Sequence, residues 1–179
     1  MSSWKIWLAF MLVIGSFQRC AMGAGSFAII SLNLDGTNVA MLAAHPDQNY
    51  GSVDLSNDGK MIAFDGCPLP TFVNTNQWIF VATVDGKNLR KVVKGAMPKW
   101  SPDDKLFAFQ DYINGVAVAQ PDGGGKEVVS PGNGNPSWIR GGDGLAVLEW
   151  NRNIQIVDLI GGGFRRLDND GIPGILWGF

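Results

Sequence analysis

Short apolar runs, many alternating with polar positions, recur along the chain and are separated by turns rich in Gly, Pro and Asp. The clearest unit is Gly95 to Gln110, read as G-A-M-P-K-W-S-P-D-D-K-L-F-A-F-Q. In it Leu106, Ala108 and Gln110 alternate with Phe107 and Phe109 beyond a Ser101-Pro102-Asp103-Asp104 turn. Proline presets φ for the second position of a type I turn, and Asp favours turns through local side-chain hydrogen bonds. The unit predicts a β-hairpin, and it returns downstream in altered form.

Pro-x-Trp appears as Pro98-Lys99-Trp100 and again as Pro136-Ser137-Trp138, a step of 38, and Pro173-Gly174-Ile175 follows Pro136 by 37. Asp-Gly pairs stand at Asp35-Gly36, Asp85-Gly86 and Asp122-Gly123, with Gly161-Gly162-Gly163 in the equivalent place near the end. Alternating runs lie between the two kinds of marker: Met61 to Phe64, Leu106 to Gln110 and Leu145 to Glu149. Each period therefore holds four short strands. The first carries Pro-x-Trp and the second follows the Ser-Pro-Asp-Asp turn. The third precedes Asp-Gly (Ile79 to Val84, Val116 to Gln120, Ile154 to Leu159), and the fourth follows it (Leu89 to Val93, Lys126 to Val129, Phe164 to Leu167). Asp-Gly between strands predicts a two-residue type I′ hairpin. Fixed-period units of about 40 residues with four strands each read as blades of an all-β propeller.

The pattern P-x-W-S-P-D-[DG]-x-[LI]-x-A-F, followed by a strand, Asp-Gly and a short basic-apolar strand such as Asn88-Leu89-Arg90-Lys91-Val92, resembles TolB-type repeats. The resemblance implies a WD-repeat-like β-propeller of a kind common in the bacterial periplasm, and it spans most of residues 26–179. Ser56-Asn57-Asp58-Gly59-Lys60-Met61-Ile62-Ala63-Phe64 fits the pattern. Arg140-Gly141-Gly142-Asp143-Gly144 replaces the proline turn with what reads as one extra residue. Three full blades are expected, starting near Gly51, Pro98 and Pro136. A third and a fourth strand precede them (Phe27 to Leu34, Asn38 to Leu42), and a lone first strand, about Pro173 to Gly178, follows. The preferred arrangement joins these pieces into a composite fourth blade. The alternative is an open fragment with an apolar edge at Leu176-Trp177-Gly178-Phe179, prone to self-association.

Composition agrees with an all-β chain: 24 Gly, 9 Pro, and 16 acids of which only Glu127 and Glu149 are Glu. With 14 Lys+Arg against those 16 acids, nothing suggests an electrostatic footprint for nucleic acid. Lys5 ahead of the apolar run Ile6 to Ile14, with Ala21-Met22-Gly23 before Ala24, has the layout of a secretory signal over residues 1–23. The run is too short to span a bilayer, which takes about 20 apolar residues. A periplasmic or secreted mature chain over residues 24–179 is expected, with no membrane span after cleavage and Cys67 as its only thiol.

In an up-and-down blade, the turns after strands one and three share one end. The turns after strand two and the links between blades share the other. The first end collects short acidic turns, and the second collects the longer segments Ala43 to Tyr50 and Gly66 to Gln77. Recognition usually lives in long loops on a rigid scaffold. His45, Tyr50, Phe72, Asn74, Tyr112 and Arg152 are accordingly the expected lining of an interaction end, ordinary loop packing being the alternative. A single His outside any G-x-S-x-G elbow, and too few His and Cys for a zinc site, point away from catalysis and from a resident metal or cofactor. Gly123-Gly124-Gly125-Lys126 lacks the upstream Gly and the following helix of a phosphate loop. The expectation is a non-enzymatic propeller that binds a protein or peptide partner. Two alternatives stand beside it: the propeller of a prolyl-oligopeptidase-like hydrolase without its catalytic domain, and a carbohydrate-binding propeller.

Overall fold

The computed structural model describes residues 27–33, 35–69, 74–150 and 153–167. Apart from a single 3₁₀ turn, Asn74–Asn76, the regular elements among these residues are strands. A two-stranded pair leads, β1 (Ile29–Ser31) with β2 (Ala40–Ala43). Blade one follows with β3 (Gln48–Leu55), β4 (Met61–Pro68), β5 (Trp78–Thr83) and β6 (Arg90–Lys94). Blade two holds β7 (Ala96–Trp100), β8 (Phe107–Asp111), β9 (Gly115–Ala119) and β10 (Glu127–Ser130). Blade three holds β11 (Gly134–Trp138), β12 (Gly144–Glu149), β13 (Ile154–Asp158) and β14 (Gly163–Leu167). Each blade is an antiparallel meander with its strands in sequence order, so strands one and four are its edges. The first strands β3, β7 and β11 lie side by side at the inner edge. The fourth strands form the outer rim, where β6 carries Arg90, Lys91 and Lys94.

The strand quartets expected from the sequence are present, and Trp100 and Trp138 do occupy matching places. Each ends its first strand opposite the start of the second, Trp100 facing Phe107 and Trp138 facing Leu145. The sheet faces that meet a neighbouring sheet are apolar. Blade one meets blade two through Ala63, Ile79 and Val81 against Trp100, Phe107, Phe109 and Ala117. Blade two meets blade three through Ala108, Val116 and Val118 against Leu145, Val147 and Val157. Ile29 and Ala43 of the leading pair cover the opposite face of blade one, over Ile62, Phe64, Phe80 and Ala82. Phe64, Phe107 and Phe109 are fully buried, and such a side chain is worth about 2 kcal/mol of burial.

Two local expectations are corrected. The Asp-Gly hairpins are three-residue loops rather than two-residue type I′ turns. Thr83 N donates to Lys87 O at 2.9 Å and Gly86 N to Thr83 O at 2.8 Å, and only Gly86 of the Asp-Gly pair has positive φ. This is a type I turn closed by a left-handed glycine. The Asp85 carboxylate keeps Asp85 out of the left-handed region by accepting from the Thr83 hydroxyl and from Lys87 N. The same bonds recur at Asn33–Thr37 and Gln120–Gly124. The second correction concerns the turn of blade three, which contains no extra residue. Ile139 N reaches Gly144 O just as Ser101 N reaches Leu106 O and Ser56 N reaches Met61 O. The expected signal segment, the lone strand at 173–178 and the composite blade built on it lie outside the described residues.

Candidate functional site

The hydrogen bonds confirm how the loops divide between the two ends. At the acidic end Val84 N donates to Lys60 O, and Leu159 N to Asp143 O, which ties the first and third turns of a blade together. Asp104 continues the tie across blades. Its carboxylate accepts from Asn57 N at 2.7 Å, from Asn57 Nδ2 at 2.9 Å and from Asp58 N at 2.9 Å. Hydrogen bonds from Lys60 and Ser56 hold the Asp58 carboxyl down at about 2, and bonds from Thr83 and Lys87 do the same for Asp85. Asp58, Asp85 and Asp104 are thus engaged in holding the turns. A groove of about 670 Å³ opens here between blades one and two, lined by Arg90, Asp103, Lys105, Leu106, Gln120, Pro121 and Asp122. Of its lining residues, Lys105 and Asp103 already pair with each other at 3.2 Å.

At the other end, Leu69 N donates to Asp47 O, Gly95 N to Gln77 O and Trp150 N to Asn133 O, so the links and second turns do gather there. His45 is exposed in the link before β3, and its Nδ1 accepts from Asp47 N at 3.1 Å. Tyr112 is half-buried in the turn between β8 and β9. Burial first, and then the nearby Asp65 and Cys67, push its phenol above the ordinary range. Beside it Asp111 receives Lys126 Nζ at 2.6 Å, Asn114 Nδ2 at 2.8 Å and Ile113 N at 3.0 Å. Burial opposes the charge on Asp111, but Asn114, Lys126 and the Ile113 amide together hold its carboxyl below the usual range.

Tyr50 does not line this end. It lies within β3, buried edge-on against Phe64 at 5.2 Å and Phe80 at 5.3 Å, and burial raises its phenol. Strand β3 begins at Gln48, ahead of the expected start near Gly51, and a bulge with Ser52 at φ 40° breaks the alternation that would have marked Tyr50 as a strand residue. Asn74 opens the 3₁₀ turn at the same end as Tyr112, and its side chain lies outside the described residues. Phe72 and Arg152 lie outside them altogether.

A row of polar side chains along the inner edge was missed, with Asp65 and Gln110 buried and Asp54 half-buried. Each caps the first strand of the next blade, whose edge has no further strand to pair with. Asp54 accepts from Trp100 N at 2.8 Å and from Lys99 Nζ at 3.2 Å. Asp65 accepts from Met97 N at 2.9 Å and from the Ser52 hydroxyl. Met97, like Ser52, is a left-handed bulge residue, at φ 56°. One blade further on, Gln110 fills the place of Asp65. Its carbonyl accepts from Gly134 N, and its amide donates to Asn133 Oδ1, Asp111 O and Gly115 O. The only signal in the sequence was a polar residue directly after the apolar run of strand two, at Phe64-Asp65 and Phe109-Gln110. Among the described residues no group of three or more His, Cys, Asp or Glu converges as a metal site, and no helix is long and apolar enough to cross a membrane.

No family model matches the sequence, and no curated protein matches it. Solved structures do match. TolB from Acinetobacter baumannii superposes with a TM-score of 0.63 at 18% identity, over 81% of this chain and 38% of TolB. The fold is a β-propeller. A chain of the nidogen/laminin complex gives a TM-score of 0.64 at 13% identity, over 79% of this propeller and 57% of that chain. A puromycin-hydrolyzing peptidase of Mycobacterium tuberculosis gives 0.57 at 22% identity, over 79% of this propeller and 27% of the peptidase. The propeller thus spans from about a quarter to just over half the length of these relatives.

Proposed function

We propose that this propeller is a non-catalytic, periplasmic or secreted protein that binds a protein or peptide partner through its loop-rich end. The observation that carries the reading is the convergence of long segments there, beside a half-buried Tyr112 and the Asp111–Lys126 pair. A tyrosine with one wet face and fixed charges around it suits recognition, since it adds contact area at small entropic cost. The likeness to TolB and to a chain solved in a nidogen/laminin complex supports a protein partner. The leader-like Ile6 to Ile14 run and the TolB-type repeat pattern support an envelope location.

The test is affinity capture from an envelope extract with three baits: the wild type, a chain shortened in the loop 66–77, and Tyr112→Ala. One protein recovered by the wild type and at least about tenfold less by both variants is expected. Equal recovery by all three overturns the reading. Equal recovery would favour a second reading, the propeller of a hydrolase, which rests on the likeness to the puromycin-hydrolyzing peptidase.

A further inference from the structure

The described residues leave one sheet face uncovered at each end of the blade series, and the two faces are of opposite kind. Every blade has a trailing face, turned to the next blade, and a leading face, turned to the previous one. On the trailing faces an alanine of strand two sits opposite a β-branched residue of strand three: Ala63 with Val81, Ala108 with Val118 and Ala146 with Ile156. The next position along repeats the scheme, with Asp65 opposite Ile79, Gln110 opposite Val116 and Leu148 opposite Ile154. In blades one and two all of these residues are buried by the blade that follows. In blade three Ala146, Ile154 and Ile156 are only half-buried, and Leu148 is 38% exposed.

Blade three also departs from the scheme in one informative way. Asp65 and Gln110 are polar because each caps a first strand within the same chain. Leu148 offers no such cap, so its face is built for apolar contact alone. At the other end of the series, Ile30 and Met41 form a cross-strand pair on the leading side of the β1–β2 pair. Ile30 stands where Phe80 stands in blade one, opposite the second residue of strand four in each case. Phe80 is buried against β1–β2, whereas Ile30 is half-buried and Met41 is 67% exposed.

We propose that these two faces are the halves of one blade–blade interface, closed in solution by a second copy of this chain. The interfaces among the described residues always join a trailing face to a leading one, and those residues leave one face of each kind uncovered. Two copies related by a two-fold axis satisfy both at once, the trailing face of each meeting the leading face of the other. Dimerisation through these matched registers does not involve the loop-rich end, so it stands apart from partner capture there.

Sedimentation velocity of the purified chain at rising concentration tests the proposal. A dimer is expected, with Met41→Asp and Leu148→Asp each raising its dissociation constant at least about tenfold. Both side chains are exposed in the single chain, so unchanged melting temperatures verify folding, and the wild-type mass is informative even where a variant melts early. A wild type that stays monomeric overturns the proposal, as it would if residues 168–179 cover the Leu148 face. A dimer untouched by Met41→Asp, or growth beyond two copies, overturns it as well.

Discussion

Asp65, Gln110 and Leu148 occupy one register position in three successive blades, and each chemistry fits what stands in front of it. Asp65 is the costly case. It is buried, and burial, the largest effect on it, raises its carboxyl above the ordinary value despite bonds from Met97 N and Ser52. A carboxyl with a raised folded value contributes most when protonated, and that contribution is lost as pH rises through the raised value. Asp65→Asn keeps an acceptor for Met97 N and removes the charge. We expect it to melt above the wild type at pH 7 and to converge with it near pH 4, in melts followed across that range. Asp58 and Asp85 run the other way. Their folded values are lowered to about 2, so their support is full above the ordinary carboxylate range and fades as pH falls towards 2. Acid titration of Asp85→Asn should therefore start from lower stability at pH 6 and lose less on acidification. Glycine at 115 is fixed by space as well as by angle. Its φ is 118°, and a Cβ there would lie 2.0 Å from Ser130 O, so Gly115→Ala is expected to cost more than about 3 kcal/mol in urea unfolding.

At the scale of single elements, the turns also act as fasteners. Asp104 adopts φ 59° and holds the blade-one turn at Asn57 and Asp58 through three bonds. Asp104→Gly relieves the backbone angle but cuts those bonds, and we expect a net loss of about 1–2 kcal/mol by urea unfolding. Asp104→Asn tolerates the left-handed angle and keeps one acceptor, so it should fall between that variant and the wild type. Strand order and blade period were legible because Pro-x-Trp, the acidic turns and alternating runs such as Phe107 to Gln110 each mark a local event. The type of the Asp-Gly hairpin was not, because Asp85 chooses between backbone regions through its bonds to Thr83 and Lys87. Asn38 and Asn88, both left-handed two residues after the glycine, were the overlooked signal of a longer loop. Of the inner caps, Asp54 was invisible for a different reason. That Asp54 meets Trp100 N depends on how two sheets stack, and no spacing along the chain encodes it. Tyr50 was misplaced because the Ser52 bulge hides the strand that buries it.

Across the described residues, the buried apolar clusters each join two neighbouring sheets, so the blades lean on one another. Phe109, fully buried between blades one and two, is the sharpest probe, and Phe109→Ala should cost about 3–5 kcal/mol. In hydrogen exchange of that variant, the amides of β4 and β8 are expected to lose protection together while those of β12 keep more of theirs. Independent loss at β4 and β8 would mean that the blades do not lean on one another. The basic residues on the outer rim have a consequence at this scale too. An incoming chain that tried to extend blade one past β6 would bring its own Arg90, Lys91 and Lys94 against the same three cations, with Lys91 already parked 4.0 Å over the ring of Trp78. Like charge along an open backbone edge deters sheet-to-sheet growth, so crowded solutions of this protein should stay clear and free of dye-binding fibrils.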